Sequence, residues 1–447
     1  MRSAVILEPL EARALLSGGA LGIAQTMKGG IPTLLVGGGG GNDRISITQS
    51  AGLLTISSGK RWSTWLPDTF RQIVIHGKGG NDRIVVNTSV TIDCAIYGDD
   101  GNDKLHGGSG NDRLYGGSGR DAINGGAGDD VLVDLDANTR DKFAGGPGLD
   151  SFWLAAAGGD YITDLTPFES AAGARHSVAG FYNQARPSRS RAARANSLPG
   201  QKLNEPACAD ESLAYRNFSS HPLFSPAGPS ADDVVQGAVG DCYMLGALAA
   251  VARSRPQIVR QLVADLGDGT YAVQFYSKNR RYFVRVDGDL PVTPRGALAY
   301  ADFGRGGSLW VAIYEKAYAV FRNNANSYDA LDGGWLDEAN AALGALSHDR
   351  GDFTNPADLV NWARAQLDAG NPLTLGTYEP PGAPVLDHHA YSVDSVLTDA
   401  TGAITGVTLR NPWGVDGVVN PSPDDGYVTL TPQQLFDSYW MIVSAQF

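Results

Sequence analysis

Cys242 stands in "DDVVQGAVGDCYMLGALAAVAR" (232–253), after a Gly-Asp turn and before an apolar run. A thiol attacks a carbonyl efficiently only as the thiolate, so a nucleophilic cysteine needs a local cause for a lowered pKa. A helix N-terminus is one such cause and a neighbouring imidazolium is another. The turn that meets the apolar run places Cys242 at a helix start. Four histidines accompany it in the second half of the chain: His221, His348, His388 and His389. His389, in "LDHHAYSVDSV", opens an alternating apolar–polar run that reads as a strand, which gives the imidazole a rigid mount. A catalytic imidazole also needs an orienting partner. Asn411 in "LRNPWG" suits that role, with Trp413 available to cover the His–Asn hydrogen bond. Gln236, six residues before Cys242, can donate its side-chain amide to an oxyanion beside the Cys242 backbone N–H. Each residue alone also has a plainer explanation. A cysteine before an apolar helix is commonly core, a histidine at a strand start is often merely hydrogen-bonded, and Asn before Pro is a turn residue. The ordered set is what points to nucleophilic catalysis by Cys, His and Asn.

The elements needed to hold these residues can be read around them. "CYMLGALAAVAR" is apolar on nearly every face and reads as a buried helix. "GTYAVQFYSKNRRYFVRVDGDLPV" (269–292) alternates about a turn at Lys278-Asn279 and reads as a hairpin. "SLWVAIYEKAYAVFRN" reads as a second helix, and the tail from "DHHAYSV" through "DDGYVTLTPQQL" reads as successive strands. Helices followed by strands predict an α+β domain in two halves over 206–447.

The first half of the chain has a different logic. "GDDGNDKLH GGSGNDRLY GGSGRDAIN GGAGDDVLV" (98–133) is four nine-residue units, with Asp103, Asp112, Asp121 and Asp130 in step. Isolated copies precede them in "GGGGNDRIS" and "GKGGNDRIV", the latter carrying Asp82, and "GGPGLDSFW" follows. The pattern Gly-Gly-x-Gly-x-Asp-x-apolar-x is the repeat-in-toxin nonapeptide and implies a parallel β-roll over 30–170. Glycines allow the turn and bring carbonyl oxygens inward, while each Asp offers a hard carboxylate to calcium. Leu105, Leu114, Ile123 and Leu132 then fill the interior. Without calcium the stacked carboxylates repel, so the roll is expected to fold with metal bound. The alternative is a flexible Gly/Asp-rich linker, which the strict nine-residue phase disfavours. "GGDYITDLTPFE" (158–169) reads as the strand that closes the roll.

Between these regions, 171–205 is basic and rich in Pro, Ser and small residues, and reads as a flexible linker open to proteolysis. Residues 1–29 read as a leader. Their Leu-Glu-Pro…Leu-Leu-Ser spacing resembles the leader of large exported proteins of planctomycete-type bacteria, although Leu10 stands where an Arg is usual. In the whole chain of 447 residues, 43% are hydrophobic, which excludes global disorder, and the net charge of −13 argues against a nucleic-acid partner. Cys94, Cys208 and Cys242 make no disulfide framework, and no apolar run is long enough to span a membrane.

Five stretches in order, "QGAVGDCYMLGALAAVA", "LWVAIYEKAYAVF", "SYDALDGG", "HAYSV" and "LRNPWG", resemble the calpain family of papain-like cysteine proteases. The resemblance covers about 206–447 and implies a papain-like protease core of two subdomains. It implies Cys242 as nucleophile, His389 as general base and acid, Asn411 as orienter and Gln236 as oxyanion donor. His388 has no such role, since the family usually has Gly there, and Tyr243 replaces the usual Trp. Calpain cores also bind calcium, which maps onto Asp233, the Gly228 carbonyl and Asp329; a cap on the approach to the helix is the alternative reading of Asp233. The whole is therefore expected to be a multidomain calcium-linked cysteine endopeptidase acting on proteins and peptides. Calcium is its cofactor, and its place is extracellular or at the cell surface, with the cytoplasm second. A calcium-binding adhesion protein with an inert papain-like domain, or a papain-like acyltransferase, remain alternatives.

Overall fold

The computed structural model describes residues 21–28, 30–137, 139–182, 203, 205–349, 353–378, 384–417 and 424–447. The chain divides into two compact units near residue 201. Most of the sequence-predicted linker, and residues 1–20 of the leader, lie outside the described residues.

The first unit is a β-solenoid of two eight-stranded sheets. From Arg83 onward successive short strands alternate between the sheets, so each pairs in parallel with the next strand but one. Arg113–Tyr115 lies between Ala95–Tyr97 and Val131–Val133, and Ala122–Asn124 lies between Lys104–His106 and Lys142–Ala144. One turn of the solenoid is therefore two nonapeptides. The apolar residue of each repeat is buried in a shared core with Phe143 and Phe152. Antiparallel hairpins extend both sheets at the N-terminal end, through Gly22–Lys28 with Ile31–Gly37 and through Arg44–Ser50, Leu53–Ser58 and Arg61–Trp65. At the other end a short helix, Pro167–Ala171, is capped by a Thr166–Glu169 box and leads into Arg175–Val178, which pairs with Phe152–Ala155. Sheet structure thus continues past both limits of 30–170, into the segments read as leader and linker. A four-residue strand burying two side chains is too short to show its period within a stretch of small, basic residues.

In the second unit the helix Cys242–Ser254 is buried along almost its whole length, as its all-round apolar sequence requires. It packs on strands Leu373–Thr377 and Ala390–Thr398. The hairpin joins Thr270–Ser277 to Arg280–Asp287, and Lys278 and Asn279 both take left-handed φ values of 50° and 58°. Two consecutive positive φ values are what a tight type I′ hairpin turn demands. The second long helix is Trp310–Phe321. A six-stranded antiparallel sheet runs in the order 346–349, 439–446, 373–377, 390–398, 404–410, 427–430. The helical half thus carries Cys242, while His389 and Asn411 sit at the ends of two paired strands of this sheet.

Candidate functional site

His389 immediately precedes the strand Ala390–Thr398, and Asn411 immediately follows its neighbour Ile404–Arg410. Antiparallel pairing brings those two strand ends together, and Ser392 lies opposite Arg410. His389 Nε2 then meets Asn411 Oδ1 at 2.9 Å. The Asn411 Oδ1 also accepts the Trp413 N–H at 3.0 Å, while Asn411 Nδ2 donates to the Asp416 carbonyl at 3.2 Å. Those two bonds set the amide's orientation, so the shared proton sits on Nε2 of a neutral His389 and Nδ1 carries the lone pair. Asn411 is fully buried and His389 is 8% exposed. The Trp413 ring lies 5.0 Å from the imidazole and covers the pair on its outer side.

Cys242 is the first residue of its helix, in the position read from sequence. Burial raises the thiol pKa, while the backbone amides of Ala390, Tyr243 and Cys242 itself draw it down less strongly. The Ala390 amide places the sulfur one residue from His389. Burial lowers the His389 pKa, partly offset by its bond to Asn411. Both shifts favour a neutral thiol and a neutral imidazole in the resting site.

The loop holding Gln236 is tied to the Asn411 loop by a bond from the Gln236 N–H to the Pro412 carbonyl at 2.7 Å. One N–H of the Gln236 side chain goes to the Val239 carbonyl, also at 2.7 Å. His388 is exposed, pairs with Asp387 and holds a left-handed φ of 48°. That conformation explains why a glycine would be at ease there. Tyr243 is buried, with the Arg322 guanidinium 4.9 Å above its ring.

Two groups beneath the site were not foreseen from sequence. Asp241, the residue before Cys242, is fully buried beside Glu315, without a regular hydrogen bond joining the carboxyls. Burial pushes Asp241 up to about 7 and Glu315 well above its usual range. Glu315 Oε2 accepts the Ala301 N–H at 3.0 Å, bracing a segment that in turn bonds the Gln236 loop at Ala238 and Val235. Separately, the buried Arg410 reaches Asp232 and the Val234 carbonyl, and Tyr427 donates to the same Asp232 carboxylate at 2.8 Å. Only packing reveals either group, because its members are far apart in the chain.

The residues expected to hold calcium in the core differ in their surroundings. Asp233 is 1% exposed, and its Oδ2 accepts from Trp310 Nε1 and the Ser230 N–H, while Oδ1 has no partner among the described residues. The Gly228 carbonyl accepts from Ser225 Oγ, and the Arg260 guanidinium packs against the Gly228 α-carbon. Asp329 is exposed. Among the described residues no group of three metal-ligating side chains includes Asp233 or Asp329.

In the solenoid the aspartates form two buried ladders. The N–H of Asp82 bonds Oδ1 of Asp103, that of Asp103 bonds Asp121, and that of Asp112 bonds Asp130, at 2.6–2.8 Å. The Oδ2 atoms of Asp82, Asp103, Asp121 and Asp130 are buried with no hydrogen-bond partner among the described residues. A Cβ added at Gly77, Gly98 or Gly125 would strike such an Oδ2 and the glycine carbonyl of the next turn. Burial, reinforced by neighbouring carboxylates, pushes Asp82 and Asp103 up to about 6, Asp112 and Asp121 to about 7, and Asp130 to about 9. Orphaned carboxylate and carbonyl oxygens facing one another across a cradle fit a hard cation such as calcium.

A β-solenoid with aspartate ladders, followed by an α+β unit with a cysteine at a helix start and a His–Asn pair at a sheet edge, is the arrangement of calcium-binding repeats joined to a cysteine protease domain. The family comparisons agree. Residues 210–420 match the calpain family cysteine protease model, and residues 97–132 match four copies of the RTX calcium-binding nonapeptide repeat. Among curated relatives, a calpain-type cysteine protease (ADL1) of Oryza sativa subsp. japonica is 30% identical over 213 residues, which is 44% of this chain and 10% of that protein. The calpain-2 catalytic subunit of Gallus gallus is 29% identical over 211 residues, 44% of this chain and 30% of the other. A thiol protease of Porphyromonas gingivalis is 29% identical over 267 residues, 47% of this chain and 54% of the other. The matches thus span from a tenth to about half the length of these relatives. This chain carries a calpain-family cysteine protease domain behind calcium-binding repeats. No helix among the described residues is long and apolar enough to cross a membrane.

Proposed function

We propose that the protein is a calcium-linked cysteine endopeptidase, with Cys242, His389 and Asn411 as its triad and Gln236 at the oxyanion position. The observation that carries this reading is the buried 2.9 Å bond between His389 and Asn411, under Trp413 and one residue from the Cys242 thiol's amide contact. The neutral resting pair sets the order of events. His389 takes the Cys242 proton as sulfur attacks the scissile carbonyl, and the second Gln236 side-chain N–H, with the Cys242 amide, stabilises the oxyanion. The imidazolium then protonates the leaving amine as the C–N bond breaks, leaving a thioester. Water, deprotonated by His389, attacks that thioester and restores the thiol. Asn411 holds the ring throughout. Calcium would be held by Asp82, Asp103, Asp112, Asp121 and Asp130 with the turn carbonyls, ordering the roll; Asp233, with Gly228 and Asp329, is the candidate core ligand set. Division into roll (22–178), linker and protease domain (206–447), with export to the cell exterior or surface, completes the proposal. Iodoacetamide labelling tests the site. Cys242 should be alkylated in proportion to lost peptide cleavage, with a rate that climbs with pH beyond the ordinary thiol range. Activity surviving full Cys242 alkylation would sink the triad.

A further inference from the structure

The nonapeptide phase breaks at "DLDANTRDK" (134–142), where two extra residues place the next ladder aspartate at Asp141. Strand pairing shows the same slip, since Ala122 lies opposite Lys142 while Arg113 lies opposite Val131. In the regular turns the first glycine of a repeat faces two oxygens. One is the Oδ2 of its own aspartate and the other is the carbonyl of the glycine stacked on it: Asp103 and Gly116 at Gly98, Asp112 and Gly125 at Gly107, Asp130 and Gly145 at Gly125. At Gly116 the stacked residue is Asp134, and its Oδ2 stands where every one of those turns has a carbonyl, facing Asp121 Oδ2.

Three carboxylates therefore converge at one point. One oxygen each from Asp121, Asp134 and Asp141 lies within 4.8 Å of the others, and the residues are 2%, 3% and 0% exposed. The Oδ2 atoms of Asp121 and Asp134 have no hydrogen-bond partner among the described residues. The remaining oxygens are committed to the protein. Asp134 Oδ1 accepts the Asp136 N–H at 3.0 Å, Asp141 Oδ1 accepts the Asp121 N–H at 2.6 Å, and Asp141 Oδ2 accepts from Thr139 Oγ1 at 2.7 Å. Metal–oxygen distances of about 2.3–2.6 Å are spanned by such a separation.

We propose that Asp121, Asp134 and Asp141 form a calcium site unlike those of the regular repeat turns, in which a carboxylate replaces a turn carbonyl and binds the ion more tightly than its neighbours. The added charge sits directly on the ion in a buried setting, where ligand charge count tunes calcium affinity. It is also placed to secure the irregular loop between Asp134 and Asp141, where the ladder changes register.

Calcium titration of the full-length chain against a chromophoric chelator tests this. Wild type should show one site at least tenfold tighter than the rest. Asp134→Asn, and Asp134→Gly, which restores the repeat glycine, should remove that step and spare the weaker class. Asp103→Asn should keep the tight step and reduce the weaker class. Retention of the tight step in both Asp134 variants, folded by circular dichroism in saturating calcium, overturns the proposal. On the unaltered protein, terbium should displace the tightest calcium first, because three carboxylates favour a trivalent ion; uniform displacement overturns the proposal equally. A wild type that binds calcium in one affinity class contradicts only this inference, whereas one that binds none contradicts the calcium-binding roll itself.

Discussion

The solenoid and the protease unit solve the placement of charged groups in opposite ways. In the solenoid the repeat aspartates are held by backbone amides one turn away, and the same bond repeats from Asp82 to Asp121 and from Asp112 to Asp130. Among the described residues, the outer Oδ2 atoms of Asp82, Asp103, Asp121 and Asp130 have no hydrogen-bond partner. In the protease unit the polar groups come from distant segments and satisfy one another: His389 with Asn411, Arg410 with Asp232, Lys316 with Glu205 and Asp287. The acidic group around Lys316 shows the contrast well. Its three carboxylates, Glu205, Asp287 and Asp289, cluster as closely as the solenoid trio, but Asp287, Glu205 and the Asp289 carbonyl surround a buried ammonium that does a cation's work. One unit leaves buried carboxylate oxygens open to an ion from solution, while the other carries its counter-charges in its own side chains.

The largest effects should fall on the triad. His389→Ala is expected to lower kcat/KM by roughly 10³-fold or more, and Asn411→Ala by about 10²-fold with KM little changed, measured on a fluorogenic peptide. Neither should alter the calcium requirement of the solenoid's fold, which is read by hydrogen exchange across 77–164. Equal losses of exchange protection in the solenoid would erase the distinction between the units.

Chelation should unfold the solenoid selectively, and pH should reverse the sign of its stability. In the metal-free fold the carboxyls titrate above their unfolded value of 3.8, from about 6 at Asp82 to about 9 at Asp130. The folded state therefore binds more protons, and its stability is fully present below about pH 4 and lost as pH rises towards 9. In saturating calcium the carboxylates are held ionised, so stability should instead rise over the same range. Thermal melts at pH 5 and pH 8, with calcium and with chelator, measure both slopes; parallel slopes would refute the ladder's role in metal binding.

A smaller effect is expected from Arg410→Ala. Arg410 is buried while Asp232 is partly exposed, so loss of the bridge should cost about 1–3 kcal/mol in the protease unit. Denaturant unfolding followed by tryptophan fluorescence would show it. The solenoid transition should not move.

How far each unit was legible in its sequence follows from the same contrast. Repetition made the solenoid readable turn by turn, including the inward Leu105, Leu114, Ile123 and Leu132. Legibility failed where repetition failed: at Asp134, and at the strand Arg175–Val178, which carries no repeat. In the protease unit the residue types Cys242, His389 and Asn411 stand out because nucleophile, base and orienter must be of those kinds. Their supports do not stand out. Asp241 reads as a turn residue and Glu315 as an ordinary helix residue until packing buries them together. Arg410 reads as a strand-end charge until the fold brings Asp232 to it.

The central claim, that a Cys–His–Asn protease is linked to calcium, is tested most directly by casein cleavage with the full-length protein, in calcium and in chelator, for wild type and Cys242→Ala. The account predicts cleavage by wild type that requires calcium and none by Cys242→Ala in either condition. Cleavage that persists in Cys242→Ala, or wild-type cleavage indifferent to chelation, would contradict it.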